Sequence, residues 1–280
     1  MHPLLNRFYE NSSLIRLKLF RFAKMSVSGE TNVSEIRNPS DIDFVFPDGL
    51  SFFDPYLRYY IKQTLEIGGE AYVSRISEGA VSGMFIYDDY EKVGTIFTQS
   101  REVFDYFYKL KKPFDFLFAE MKTEHKSEPY DIYTVDLAGL AIVHRFRHEI
   151  SMVQKEETDE IEQFMVSTHP GMNRKWVKVA LNDGDKCFTV KLGKEIAGLG
   201  WLSIVNGIGS LHSLYVKPHY RNMGIGEDIL YARLLWLKSK RARSGFSEIS
   251  QSNLSSSRVA VKARMSVTGQ VFQYFQEAGS

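Results

Sequence analysis

Arg221, Gly224 and Gly226 stand in the spacing R-x-x-G-x-G, between an alternating run, Ser210–Lys217, and a helix-like run from Glu227 to about Arg241. Glycines at such a junction let the backbone turn tightly with no Cβ in the way. They also leave amide N–H groups free at the positive end of the following helix, where a phosphate group fits. The spacing is neither the dinucleotide pattern G-x-G-x-x-G nor a P-loop, which ends in Gly-Lys-Ser/Thr. The chemistry it suggests is therefore anion binding by backbone amides, with a strand end close by.

The surrounding run, Leu214-Tyr-Val-Lys-Pro-His-Tyr-Arg-Asn-Met-Gly-Ile-Gly226, resembles motif A of the GNAT superfamily, the acyl-CoA-dependent N-acetyltransferases. Val216, Pro218, Arg221, Gly224 and Gly226 match its pattern, and the resemblance extends over about residues 148–280. It implies that the amides of Arg221, Asn222, Met223, Gly224, Ile225 and Gly226 hold the pyrophosphate of CoA. It also implies that a splayed strand end, Leu214, Tyr215 and Val216, pairs with the pantetheine arm. Asn253, with Ser256 three residues on, is similar to the family's second motif, whose Asn contacts the CoA arm. The pattern then departs. Ala260 stands where a Tyr is common, and Arg264-Met265 where Gly-Phe is common, so the usual proton donor is missing.

The resemblance implies acetyl-CoA as co-substrate and a primary amine of a small molecule or peptide as acceptor. Such a transfer needs a neutral amine, a held thioester and a stabilised oxyanion. The backbone N–H of Val216 is the candidate for the last. Ser210 occupies the position of the family's glutamate base. His212 is the nearest titratable side chain, and it either accepts the proton or packs on the far face of the sheet. Ser256, Tyr215, Tyr274 or water are the candidates for the acid. Glu227 reads as support for the helix dipole. His169 and Trp176 lie where acceptor pockets are walled in the family, although His169-Pro-Gly also reads as a turn. No His, Cys, Asp and Glu cluster has metal-ligand spacing, so no metal is expected.

The elements that would position these residues repeat. Ser34–Asp43 parallels Ile150–Ile161, Gly69–Ile76 parallels Gly184–Lys191, Val81–Tyr87 parallels Ile196–Leu202, and Thr95–Thr98 parallels Ser213–Val216, at an offset of about 116 residues. Each half reads as strands and hairpins interleaved with helices. This predicts an α+β fold of layered α/β type, with two GNAT-like domains, each a mixed, mostly antiparallel sheet flanked by helices. Between Phe97 and Val103 the first half has Thr-Gln-Ser-Arg-Glu and no glycine pair, so it is expected to hold no CoA. The aromatic residues from Phe104 to Phe118 read as core. The expected division is an extension over residues 1–24, a degenerate GNAT-like domain over 25–146, and the acetyltransferase domain over 147–280. The extension, basic and interrupted by charges, lacks a signal peptide's apolar stretch; an added strand or helix is its other reading.

The chain has 280 residues, 44% of them hydrophobic, enough for two ordinary cores. Its 35 Lys and Arg nearly balance 34 Asp and Glu, for a net charge of +1, which points to neither nucleic acid nor a membrane surface as partner. One cysteine, Cys187, allows no disulfide within the chain and reads as a core residue. No run approaches the roughly 18 apolar residues of a transmembrane helix, and a cytoplasmic location is expected. An N-acetyltransferase is the function expected. The other readings are a non-catalytic CoA-binding regulatory or scaffold protein and an acyltransferase for longer chains.

Overall fold

The structure, a computed structural model, describes residues 32–37, 61, 64–66, 68–75, 81–88, 92–98, 100–110, 114, 116–119, 121–168, 174–205 and 207–275. Residues 1–24 and His169 lie outside them. The elements in chain order are β1 (Asn32–Ile36), β2 (Glu70–Arg75), β3 (Val81–Asp88), β4 (Val93–Thr98), α1 (Arg101–Tyr108), β5 (Phe116–Ala119) and β6 (Ser127–Asp136). They continue with β7 (Ser151–Met152), α2 (Thr158–Thr168), α3 (Arg174–Asn182), β8 (Lys186–Leu192), β9 (Glu195–Val205) and β10 (Ile208–Val216). The chain closes with α4 (Ile225–Ser239), β11 (Ser244–Ser250), α5 (Leu254–Lys262) and β12 (Ser266–Tyr274).

Among the described residues two compact units emerge, one of residues 32–130 with 269–275 and one of residues 131–268. Three of the four segment pairs matched in the repeat are strands in both halves, β2, β3 and β4 against β8, β9 and β10; in the fourth, residues 38–43 lie outside the described residues. In each unit three antiparallel strands run into a parallel pair, β4 with β5 and β10 with β11, joined across a helix.

In the first unit the strand order is β1-β2-β3-β4-β5-β12. β4 is buried at every position. Val103, Phe104 and Phe107 of α1 pack on Phe85, Tyr87, Ile96, Leu117 and Tyr274. Of the expected core aromatics, Phe104, Phe107, Phe114 and Phe118 are buried, Tyr108 is partly buried and Tyr106 is exposed. The Phe272–Tyr274 end of β12 pairs antiparallel with Leu117–Ala119.

In the second unit the order is β6-β11-β10-β9-β8-β7. Its strands alternate between two cores, as a period of two requires. Cys187, Leu199 and Trp201 face α2 and α3, where Ile161, Phe164, Trp176 and Val177 meet them. Phe188, Val190, Leu202 and Leu211 face α4 and α5, packing against Ile229, Leu234, Leu237 and Ala260. Cys187 is thus a core residue, and burial pushes its thiol pKa well up.

The compact units meet at 130/131 and again at 268/269. Residues 144–148, read from sequence as the domain border, are tied by hydrogen bonds to Asp228 of α4, and the β12 end returns to β5. Both ties join residues far apart in sequence, which composition and local pattern do not encode.

Candidate active site

The site begins with a divergence of two strands. β10 pairs in parallel with β11 only over Ile208–Ser210, opposite Ser244–Phe246. Both continue past that point, β10 to Val216 and β11 to Ser250, without further pairing between them. Between His212 and Tyr215 the β10 register slips against β9, and Ser213 takes a left-handed φ of 48°. One extra residue on a strand of this kind bends it and twists it more strongly. Arg233 of α4, 1% exposed, spans the bulge: its Nη1 donates to Trp201 O at 2.8 Å and to His212 O at 3.0 Å. Beyond the bulge, the Lys217 N–H donates to Ala197 O of β9. Amides alternate in direction along a strand, so the Val216 N–H points away from β9, toward the gap.

A 3₁₀ turn, Pro218–Tyr220, leads from β10 into the glycine loop. Arg221 folds back: its Nε donates to Val216 O at 3.1 Å and its guanidinium lies 5.9 Å over the Tyr215 ring. Asn222 and Gly224 have φ of 66° and 87°. Gly224 is the residue before the first turn of α4, and no side chain caps that helix. Among the described residues, nothing accepts from the N–H groups of Asn222 to Glu227. A helix start in this state presents about half a positive charge. Of the two glycines of the motif, only Gly224 has a positive φ. Gly226 is helical, and a Cβ there would lie 3.6 Å from Val216 Cγ2 and 3.9 Å from Leu214 Cδ2, an ordinary contact.

The corresponding turn of the first unit is filled. Ser100 Oγ accepts from Val103 N at 3.3 Å, and Thr98 Oγ1 accepts from Ser100 N at 3.0 Å. Arg101 is held by Asp105 at 2.8 Å and by Glu124. Two of the amides at this turn, those of Ser100 and Val103, thus already have side-chain partners.

The predicted site residues fall into two groups. Leu214 to Val216, Arg221 to Gly226 and Asn253 line the divergence and the two helix starts beside it. Asn253 caps α5, its side chain accepting from the Ser256 N–H at 3.2 Å, so these two residues form one local motif. His212 belongs elsewhere. It is 5% exposed, within 4.0 Å of Asp185 and edge-on to Trp176. Burial, and then the Arg233 guanidinium, push its pKa down to about 3, so it takes no proton at neutral pH. Trp176 packs on Trp201 in the same core. Tyr274 is buried in the first unit, donating to Met121 O and accepting from Thr123 N at 3.0 Å. Ser210 is fully buried, and among the described residues its hydroxyl has no partner. Glu227 pairs with Lys262 at 3.2 Å.

The end of α5 explains the departures from the family pattern. Arg264 takes φ 62°, Met265 N donates to Ala260 O at 3.0 Å and Arg264 N to Val261 O at 2.9 Å. This is the paired closure of a helix that usually employs glycine; Arg264 takes the glycine's conformation and Met265 the buried place after it. Ala260, two residues before the last residue of α5, is 2% exposed in the core. Tyrosine there does not restore a proton donor, as the motif alone would suggest; it overpacks the core. Ala260→Tyr is expected to lower stability by about 2 kcal/mol or more, seen as a fall in melting temperature with no gain in turnover.

Sequence reasoning missed Asp228. It is fully buried, and its carboxylate accepts from His144 Nε2 at 2.7 Å, His148 Nδ1 at 2.8 Å, Arg147 N at 3.0 Å and His148 N at 3.1 Å. Burial works against the charge, but these hydrogen bonds outweigh it and hold the pKa below the usual carboxylate value. The signals were an Asp next to the glycine loop and the alternation His144-Arg-Phe-Arg-His148. Among the described residues no group of three or more His, Cys, Asp or Glu side chains could hold a metal ion. No described helix is long and apolar enough to cross a membrane.

Residues 150–263 match the model of the family described as "Acetyltransferase (GNAT) family". Among curated proteins none matches the chain. Solved structures do. A GCN5-related N-acetyltransferase from Sphaerobacter thermophilus superposes with a TM-score of 0.60 at 11% identity, covering 88% of this chain and 95% of its own. A tandem GNAT protein from the clavulanic acid biosynthesis pathway gives 0.58 at 12% identity, with 90% and 99% covered. A GNAT-family acetyltransferase from Colwellia psychrerythraea gives 0.57 at 11% identity, with 88% and 100% covered. At these identities the likeness is one of fold. The strand divergence and the open loop both lie within residues 150–263, the stretch that is similar to the acetyltransferase (GNAT) family model.

Proposed function

We propose that the second unit binds acetyl-CoA at the β10–β11 divergence and transfers its acetyl group to a primary amine. The observation that carries this reading is the run of unpartnered amides from Asn222 to Glu227 beside an open strand edge. These amides suit a diphosphate, and Leu214 to Val216 suit pairing with an amide-bearing arm. Bound there, acetyl-CoA supplies the activated acetyl group. The Val216 N–H, aimed into the gap, is the donor we assign to the oxyanion. His212 we assign to packing, which leaves water to deprotonate the acceptor. No side chain is assigned as the acid; loss of Ser256 or Tyr215 hydroxyl is compatible with turnover in this scheme.

The first unit, with its turn closed by Ser100 and Thr98, we read as a copy of the fold without a cofactor site. Calorimetric titration is expected to give one CoA per chain; two would overturn that reading. An amine panel with acetyl-CoA and a free-thiol readout tests the function itself. Tight CoA binding with no turnover on any amine would favour a CoA-binding regulatory protein, the reading that His212, Ser210 and Ala260 support.

A further inference from the structure

Arg147 lies over the glycine loop. A Cβ built on Gly224 would overlap its guanidinium, and its Nη2 is 3.8 Å from the Glu227 carboxylate. The side chain is half exposed, but its backbone is fixed: the Arg147 and His148 N–H groups both donate to the buried Asp228. His144 anchors the same segment from the other side, bonded to Asp228 and stacked on Tyr231 at 4.1 Å. Asp228 and Tyr231 both belong to α4, so the segment is strapped to the helix whose start forms the loop.

The sign of the charge is the informative point. A helix start is positive, and a cation beside it is unfavourable unless an anion joins them. The anion present is Glu227, and it is shared with Lys262 at 3.2 Å. Arg221, the arginine of the motif, is turned away onto Val216 O and Tyr215. The strap thus brings the Arg147 guanidinium over the loop, while that of Arg221 lies against the end of β10.

We infer that Arg147 is a side-chain ligand of the CoA diphosphate, closing over the group that the loop amides hold from below. A guanidinium matches phosphate oxygens with two parallel N–H donors. On binding, Arg147 exchanges Glu227 for the diphosphate, and Glu227 keeps Lys262. Arg147 is then the residue that favours CoA over a ligand with the same arm but no diphosphate. This rests on the cofactor reading above.

The test is titration of the full chain, wild type and Arg147→Met, with CoA, dephospho-CoA and pantetheine. Arg147→Met keeps the apolar stem and removes the charge. Loss of a charge-assisted contact of this kind weakens binding roughly tenfold to a hundredfold. That loss is expected with CoA and equally with dephospho-CoA, which keeps the diphosphate, while pantetheine binding is unchanged. Arg147→Lys is expected to recover part of the affinity, and the melting temperature of each unliganded variant to stay near wild type. Equal CoA affinity in wild type and Arg147→Met overturns the inference and leaves the cofactor reading standing. Tighter binding by Arg147→Met also overturns it, showing a competitor for the site. A loss confined to CoA and absent with dephospho-CoA moves Arg147 to the 3′-phosphate and overturns the assignment. No CoA binding by wild type overturns both readings.

Discussion

Gly224→Val is expected to weaken CoA binding by a hundredfold or more while the unit stays folded. Gly224 has φ 87°, a conformation that costs an ordinary L-residue about 1–2 kcal/mol. A β-branched residue resists it further. The loop must then rearrange, and the amides of Asn222 to Glu227 lose their common direction. A Cβ at this position also displaces the Arg147 guanidinium. Because that group is the far end of a flexible side chain, the displacement itself costs little, and the damage falls on binding more than on folding. Gly226→Ala is the control. Its backbone is helical and its Cβ would make ordinary contacts with Val216 and Leu214, so affinity should change by less than about threefold, and the helix should be up to ~1 kcal/mol more stable. Titration calorimetry with CoA, together with circular dichroism, reads both effects. Wild-type affinity in Gly224→Val would remove the loop from the binding site.

Asp228→Ala should be among the most destabilising single substitutions in the second unit. It leaves the His144 and His148 rings and two amides without their shared acceptor. Breaking a buried charged pair from one side costs about 3–5 kcal/mol, and for a unit of this size that is a fall of roughly 10 °C in melting temperature. Asp228→Asn keeps the shape and removes the charge, which separates the electrostatic part. The folded pKa of Asp228 is depressed, so its contribution is fully present above the unfolded value of about 3.9 and is lost as pH falls through the folded value. The gap in melting temperature between wild type and Asp228→Asn should therefore hold at neutral pH and narrow in acid below about pH 4. An Asp228→Ala chain that melts within a degree of wild type would show that the cluster contributes nothing to stability.

The parts of this molecule legible from sequence were those encoded locally. The loop was readable because glycine spacing at a strand-to-helix junction reflects backbone geometry, and Asn253 because a helix cap acts over three residues. The strands of both halves were readable from alternation and from their shared order. What escaped was set by distant residues. His212 has the chemistry of a base, but Trp176, Asp185 and Arg233 surround it, and all three lie outside its strand. Ala260 looked like a missing tyrosine because spacing along a helix does not reveal which face the core covers. Asp228 looked like one more acidic residue in a first turn, since its partners are about eighty residues earlier.

The return of β12 to β5 has a consequence for how the chain is made. Tyr274 hydrogen-bonds Met121 across 153 residues of sequence, and Phe272 to Tyr274 supply the strand beside β5. On a ribosome, β5 emerges long before its partner. The second unit's strands are nearly contiguous and can assemble first, while the amino-terminal unit waits with an unpaired edge at Phe116–Ala119, rich in the residues that favour edge-to-edge association. The half of the protein synthesised first is thus the half completed last, and it is in that interval that the nascent chain most needs a chaperone.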